Sequence, residues 1–345
     1  MALVSKYYKT MNKIFRFWLS ILAISFCIEN GNAQSPKNCD ENSPFVYADP
    51  VFNVLVEEGT IYAKGLSHQS INGNISNAMH LKLDVYLPDN ELKNRPAIML
   101  IHGGGFAGGT RKHDKIVNMA NYFAARGWVA FSIDYRLKKD EGTVPQEWVD
   151  YSVNLDTNTA QRFFSVYPAI RDAKAALRWV VANAGKYNVN TNHITVGGGS
   201  AGAGTAITLG LSNQEDYRDE ISMSQDPTLG TANTDQQYQV HTILDFWGGK
   251  TTLDILDSLY NHQRFDFSDP PIFIAHGTED PTVPFSKAQQ LKDIYKANEM
   301  PFVFYPLEGK GHGAWNATIN GKRLEALAFD FIVEQQNLTI KESKY

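Results

Sequence analysis

Six near-continuous apolar runs, at 96–104, 128–137, 193–199, 241–248, 271–277 and 301–307, recur along this chain with helical patterns between them. A strand that is apolar at both parities must be buried on both faces, which is the condition of a mainly parallel sheet covered by helices. "HLKLDVYLP" (80–88) alternates strictly instead, as a half-exposed antiparallel strand does. Helical spacing marks 113–127, which ends on a glycine stop, 167–188, 286–300, which opens on a serine cap, and 323–336. Strand and helix therefore alternate over most of the chain. The expected fold class is α/β, one domain with a mainly parallel central sheet and helices on both faces.

Two segments break that rhythm. Residues 138–166 and 212–240 are polar and lack clear periodicity, and the second is long for a plain connection in a compact domain. They are expected as insertions that can form a small cap over the sheet edge. Residues 34–79 are expected as an N-terminal arm and first strands, 80–337 as the catalytic domain, and 338–345 as a tail.

The N-terminus has a different character. From Met11, Lys13 and Arg16 precede an apolar stretch, 17–28, too short to span a bilayer; Gly31 and Ala33 then supply small residues before a cleavage point. Residues 1–33 are expected to be a secretory signal peptide cleaved after Ala33, with either Met1 or Met11 as the start, and the protein to be secreted or periplasmic without stable membrane insertion. The full chain of 345 residues has a formal charge of −5. Removing 1–33 leaves 28 Lys and Arg against 36 Asp and Glu, a charge of −8. Nothing in that balance suits a nucleic-acid partner. Cys39 alone would remain, so no internal disulfide is possible, and stability must come from the core. Asn74, Asn316 and Asn337 stand in glycosylation sequons.

The chemistry-bearing residues cluster where apolar runs end. "GGSAG" at 198–202 follows one buried run and opens a helical pattern, the context of a nucleophile elbow, with Ser200 held out at the turn. A serine needs a base, and the base needs an orienting acid. Downstream, "HGTEDPTVP" offers Asp280 and "GKGHGAW" offers His312, each just past an apolar run, the end at which open α/β sheets bind ligands. Glu279 and Asp245 compete as the acid. His276, His241 and His102 compete as the base, though each suits a structural role better; His102 reads as a brace for the loop that follows it. That loop, "HGGGF" (102–106), places three bare backbone units where amide N–H groups could face an oxyanion: Gly104 and Gly105, together with Ala201 after the nucleophile. Phe106, Trp247 and Trp315 flank these loops and are candidate walls of a substrate pocket, with core packing as the alternative.

The set "HGGGF", "DYRL", "AIRDAKAALRWVVANAGKYNVNTNHITVGGGSAGA", "HGTEDPTVP" and "GKGH", spread over most of 80–335, resembles the α/β-hydrolases of the carboxylesterase and hormone-sensitive-lipase-like group. The resemblance implies a Ser–His–Asp triad, an HGGG oxyanion hole and ester cleavage without a cofactor or metal. It also implies structural roles for Asp134, Tyr135, Arg136 and Asp172. Two departures stand out. Gly199 precedes the nucleophile where the family often has an acidic residue or histidine, and the Asp280 and His312 loops look more like those of dienelactone-hydrolase-like and peptidase-like relatives. The expected function is a secreted serine carboxylesterase acting on a small-molecule or polymer-linked ester, short-chain acyl or acetyl- or feruloyl-polysaccharide. A peptidase, amidase or lipase of the same fold is the alternative, and a non-catalytic binding relative is a third reading. No strongly apolar lid segment appears in either insertion, and the sequence carries no signal of oligomeric state.

Overall fold

The computed structural model describes residues 44–342. The expected signal peptide, Ala33 and Cys39 lie outside the described residues. Among those described, no helix is long and apolar enough to cross a membrane.

The strands in chain order are β1 (Phe45–Tyr47), β2 (Val54–His68), β3 (Ser76–Pro88), β4 (Arg95–Ile101), β5 (Val129–Ile133), β6 (Val189–Gly199), β7 (Thr242–Phe246), β8 (Ile272–Gly277), β9 (Phe302–Leu307), β10 (Thr318–Ile319), β11 (Lys322–Arg323) and β12 (Thr339–Lys341). The helices are α1 (Asp114–Ala124), α2 (Gln146–Ser152), α3 (Thr157–Ala182), α4 (Ala184–Tyr187), α5 (Ala201–Leu211), α6 (Thr251–Tyr260), α7 (Ser286–Ala297) and α8 (Leu324–Gln335). Eight strands form one sheet in the order β2-β3-β5-β4-β6-β7-β8-β9. The β2–β3 and β3–β5 pairs are antiparallel and the rest are parallel. A short parallel pair, β1 with β12, ties Phe45 to Thr339 and so joins the two ends of the described chain.

The apolar runs behave as double-sided strands should. Along β4, Ala97, Met99 and Ile101 face one core, while Ile98 and Leu100 face the other. Ile272 and Ile274 against Phe273 and Ala275 repeat the split on β8. Helices α3, α5, α6 and α7 cover the first face; α1 and α8 cover the second.

The two insertions are organised by packing that polar composition conceals. The helix expected over 167–188 begins ten residues earlier, at Thr157, because the Asp156 carboxylate accepts the N–H groups of Asn158 and Thr159 and caps it. Pro168 therefore sits inside α3, where it cannot donate to the carbonyl four residues back. The helix stops at Ala182, and α4 follows as a separate turn. Within 138–166, Trp148 of α2 is fully buried, stacked on Phe163 and edge-on to Tyr167 and Tyr217. Segment 212–240 forms only turns and a short 3₁₀ helix, Pro227–Thr231. It is pinned to α3 by three cations on one helical stripe: Arg171 pairs with Asp226, Lys174 donates to the carbonyls of Asn213 and Asp216, and Arg178 donates to that of Ala232. Spacing of three and four residues puts all three on the same face.

Candidate active site

Four strands deliver the candidate residues to one rim of the sheet. Strand β4 ends at Ile101 and leads into the glycine loop; β6 ends at Gly199 and leads to Ser200; β8 leads to Asp280; β9 leads to His312. These strands run parallel, so their C-terminal ends lie together.

Ser200 sits at the turn between β6 and α5 with φ 58° and ψ −121°, a conformation an L-residue holds only when its surroundings impose it. Its N–H donates to the Phe246 carbonyl at 2.9 Å, and its own carbonyl accepts the N–H groups of Ala203 and Gly204. The side chain is thereby turned out of the sheet toward His312, whose Nε2 lies 2.9 Å from Ser200 Oγ. The other ring nitrogen, Nδ1, lies 2.7 Å from Asp280 Oδ2. An ionised carboxylate only accepts, so the imidazole proton resides on Nδ1 and Nε2 is left to accept from the serine hydroxyl.

Asp280 is buried, which by itself would push its carboxyl up. The hydrogen bond from His312 and those from the N–H groups of Val283 (2.9 Å) and Thr282 (2.8 Å) outweigh that and hold it below the ordinary value. The carboxylate therefore stays ionised beside the imidazole. Neither competing acid reaches His312. Glu279 is exposed, and its backbone N–H is held by the Lys310 carbonyl at 3.0 Å. Asp245 is buried in β7, where Oδ1 accepts the Gly248 N–H at 2.7 Å.

The competing histidines are bound elsewhere. His102 is buried, stacked on Tyr135 with ring centroids 4.3 Å apart, and Nδ1–H donates to the Gly103 carbonyl at 2.7 Å. Desolvation lowers its pKa, so it is neutral and braces the loop. His276 donates Nε2–H to the Val283 carbonyl at 2.8 Å and lies 3.3 Å from Asp280 Oδ2, the same oxygen that meets His312. His241 lies at the opposite end of the parallel strands, where burial, with neighbouring His193 adding to it, lowers it to about 4.

The glycine loop packs directly on the elbow. A Cβ on Gly103 would stand 2.7 Å from the Gly199 carbonyl oxygen and 3.3 Å from Ser200 Cβ. Gly104 has φ 110°, and a side chain there would run into the Gly108 carbonyl, so only glycine makes this turn. The Gly104 carbonyl accepts from Ala107 and Gly108, while the N–H groups of Gly104 and Gly105 donate to nothing among the described residues. Ala201 N–H, the first of α5, has no intrahelical acceptor either. Three unengaged amides thus flank Ser200.

Phe106 and Trp247 are buried at 9% and 1% exposure, both with positive φ; Trp315 is half-buried and meets Trp247 edge-to-face at 4.6 Å. Sequence reasoning did not single out Arg111. Its side chain bridges Asp84 and Asp134, its N–H donates to Asp134 at 2.7 Å, and its carbonyl accepts the Ser132 hydroxyl, which anchors the far end of the glycine loop to β3 and β5. Its position a few residues past the glycines was the available signal. Arg136 and Asp172 form a buried bidentate pair behind the loop, and Tyr135 donates its hydroxyl to the His102 carbonyl. Among the described residues, no group of three His, Cys, Asp or Glu could hold a metal ion.

The family model described as BD-FAE matches residues 83–156 and 152–266. Esterase LipC of Mycobacterium tuberculosis is 25% identical over 250 residues, 67% of this chain and 56% of that protein. Endo-1,4-beta-xylanase B of Butyrivibrio fibrisolvens is 24% identical over 243 residues, 67% of this chain but 34% of that protein. The chain thus spans about half, or less, of the length of these curated relatives. Among solved structures, the propionate-bound thermophilic esterase Est2 of Thermogutta terrifontis superposes with a TM-score of 0.55 at 24% identity, covering 78% of this chain and 94% of that one. That likeness is one of fold.

Proposed function

Given that this chain belongs to the BD-FAE family of α/β-hydrolase-type esterases, we propose that it is a serine carboxylesterase working through Ser200, His312 and Asp280. The observation that carries the reading is the unbroken hydrogen-bond chain from Ser200 Oγ through the His312 ring to Asp280, beside three unengaged amides.

In this reading Ser200 Oγ attacks the ester carbonyl carbon as His312 Nε2 takes the hydroxyl proton. Asp280 holds the tautomer and stabilises the imidazolium that forms. The carbonyl oxygen becomes an oxyanion facing the N–H groups of Gly104, Gly105 and Ala201, at the positive end of α5; each such donor is worth on the order of 3 kcal/mol of barrier. The tetrahedral intermediate collapses, His312 gives its proton to the departing alkoxide, and the acyl group remains on Ser200. A water deprotonated by His312 then attacks the acyl carbon and releases the acid, returning the proton to Ser200. No cofactor enters these steps.

The substrate is proposed to be a short-chain acyl ester or an acetyl or feruloyl ester on a polysaccharide. The similarity to a protein named as a xylanase supports a polymer-linked ester. Export through the expected signal peptide at 1–33 fits an extracellular ester of that kind.

The test is Ser200→Ala assayed on p-nitrophenyl acetate and acetylxylan. Removing the nucleophile is expected to lower kcat by about 10⁶-fold with an unchanged circular-dichroism spectrum. Retained turnover in that variant sinks the mechanism. Turnover of peptide p-nitroanilides at rates matching the esters would make the amidase reading the better one.

A further inference from the structure

We propose that Trp315 is a positioning residue that sets where His312 stands over Ser200, by seating its indole in the notch left by the missing side chain of Gly199. The inference rests on the serine-esterase reading above.

His312 stands between Gly311 and Gly313, and Gly313 has φ 79°, so the local backbone does little to fix its position. Anchors from outside must do so. On the N-terminal side, the Lys310 carbonyl accepts the Glu279 N–H at 3.0 Å and Lys310 N–H reaches the Leu307 carbonyl, holding the loop to β8 and β9. On the C-terminal side, three residues past His312, the anchor is Trp315. A Cβ built on Gly199 would lie 2.7 Å from Trp315 Cζ2 and 3.3 Å from Cη2, and 3.1 Å from Trp247 Nε1. The benzo edge of Trp315 thus occupies the place where a residue-199 side chain would be. Its other contacts are aromatic: Trp247 edge-on, and Phe246 at 5.3 Å. Phe246 is the residue whose carbonyl accepts the Ser200 N–H, so the indole rests on the same strand end that holds the nucleophile. The contact ties the His312 loop to the strand end that holds Ser200 and so helps fix the distance from serine to base.

This accounts for Gly199 on steric grounds. Its φ is not positive, so its conformation does not demand glycine; the indole does.

The test is a double-mutant cycle in the full chain with Trp315→Ala, Gly199→Val and the pair, plus Trp315→Phe as the conservative variant. Trp315→Ala is expected to lower kcat for p-nitrophenyl acetate roughly 10- to 100-fold with KM changed less than about threefold, because a misplaced base costs rate rather than binding. Gly199→Val should cost a similar factor by expelling the indole, Trp315→Phe should recover much of the loss, and the double variant should be no worse than Trp315→Ala alone. Full kcat in Trp315→Ala, or a double variant whose loss is the product of the single ones, overturns the proposal. The cycle is repeated on thermal melting temperatures and on the rate at which a fluorophosphonate labels Ser200. A protein that neither turns over esters nor labels has lost the esterase reading, whereas the melting cycle still reports whether Trp315 and Gly199 are coupled.

Discussion

Asp245 offers the sharpest test of how the fold treats charge next to the nucleophile strand. Its carboxyl is fully buried in β7, paired in register with Gly198 of β6. Oδ1 has a single donor, the Gly248 N–H, and Oδ2 has no partner. Burial therefore pushes the carboxyl up from 3.8 to about 7, and the one hydrogen bond opposes it only weakly. In the unfolded chain the group has its ordinary value. Because the folded value is the raised one, the folded state binds the extra proton, and stability is fully present below about pH 4. It is lost progressively as pH rises through the folded value and is flat above it. A rise of about three pH units is worth about 4 kcal/mol, of the order of a third to a half of a typical domain's stability. Asp245→Asn keeps an acceptor for Gly248 N–H and cannot ionise. Urea unfolding of both proteins between pH 4 and 8.5 should show the variant gaining on the parent by about 4 kcal/mol between pH 4 and 8, then running parallel to it. Asp269 and Lys174, also displaced by burial to about 7, are common to both proteins and cancel in the difference. Curves that stay parallel from pH 4 to 8.5 would show that Asp245 is not held neutral in the fold, and the reasoning fails.

Two further substitutions separate roles within the site. Asp280→Asn keeps its oxygen on the Thr282 and Val283 amides and turns an NH₂ donor toward His312 Nδ1, which favours the wrong tautomer, and kcat for p-nitrophenyl acetate is expected to fall roughly 10³- to 10⁴-fold with little change in KM; a loss below tenfold would mean that another group orients the ring. His312→Asn should abolish turnover, whereas His102→Asn, which disturbs only a loop brace stacked on Tyr135, should leave measurable kcat and lower the melting temperature; steady-state kinetics and thermal melts on the two variants decide between them.

Much of the site was legible because its chemistry is written at strand ends. The runs that must be buried on both faces announced their own limits, and the residues at or just past those limits, 102–106, 200, 280 and 312, are the ones the structure gathers. The insertions were not legible, and for a physical reason. Segment 212–240 shows no periodicity because it is held by cations on α3 reaching its carbonyls and Asp226, a contact no local pattern encodes. The start of α3 was missed because Asp156, its cap, lies in polar sequence that reads as loop.

The amino-acid sequence by itself determined the class of fold and pointed to Ser200 as the candidate nucleophile and to the bare amides near it, since burial on two faces and a side-chain-free turn are demands that only particular residues meet. The sequence favoured Asp280 as the acid beside His312 but left Glu279 and Asp245 as competitors, and their separation is a tertiary matter. Only the three-dimensional paths of β7 and β8 leave Asp245 buried without reach, Glu279 in solvent, and Asp280 at 2.7 Å from the ring with its charge held by two backbone amides. The same holds for Gly199: in the sequence it is one more small residue before a serine, and in the fold it is the space into which Trp315 fits.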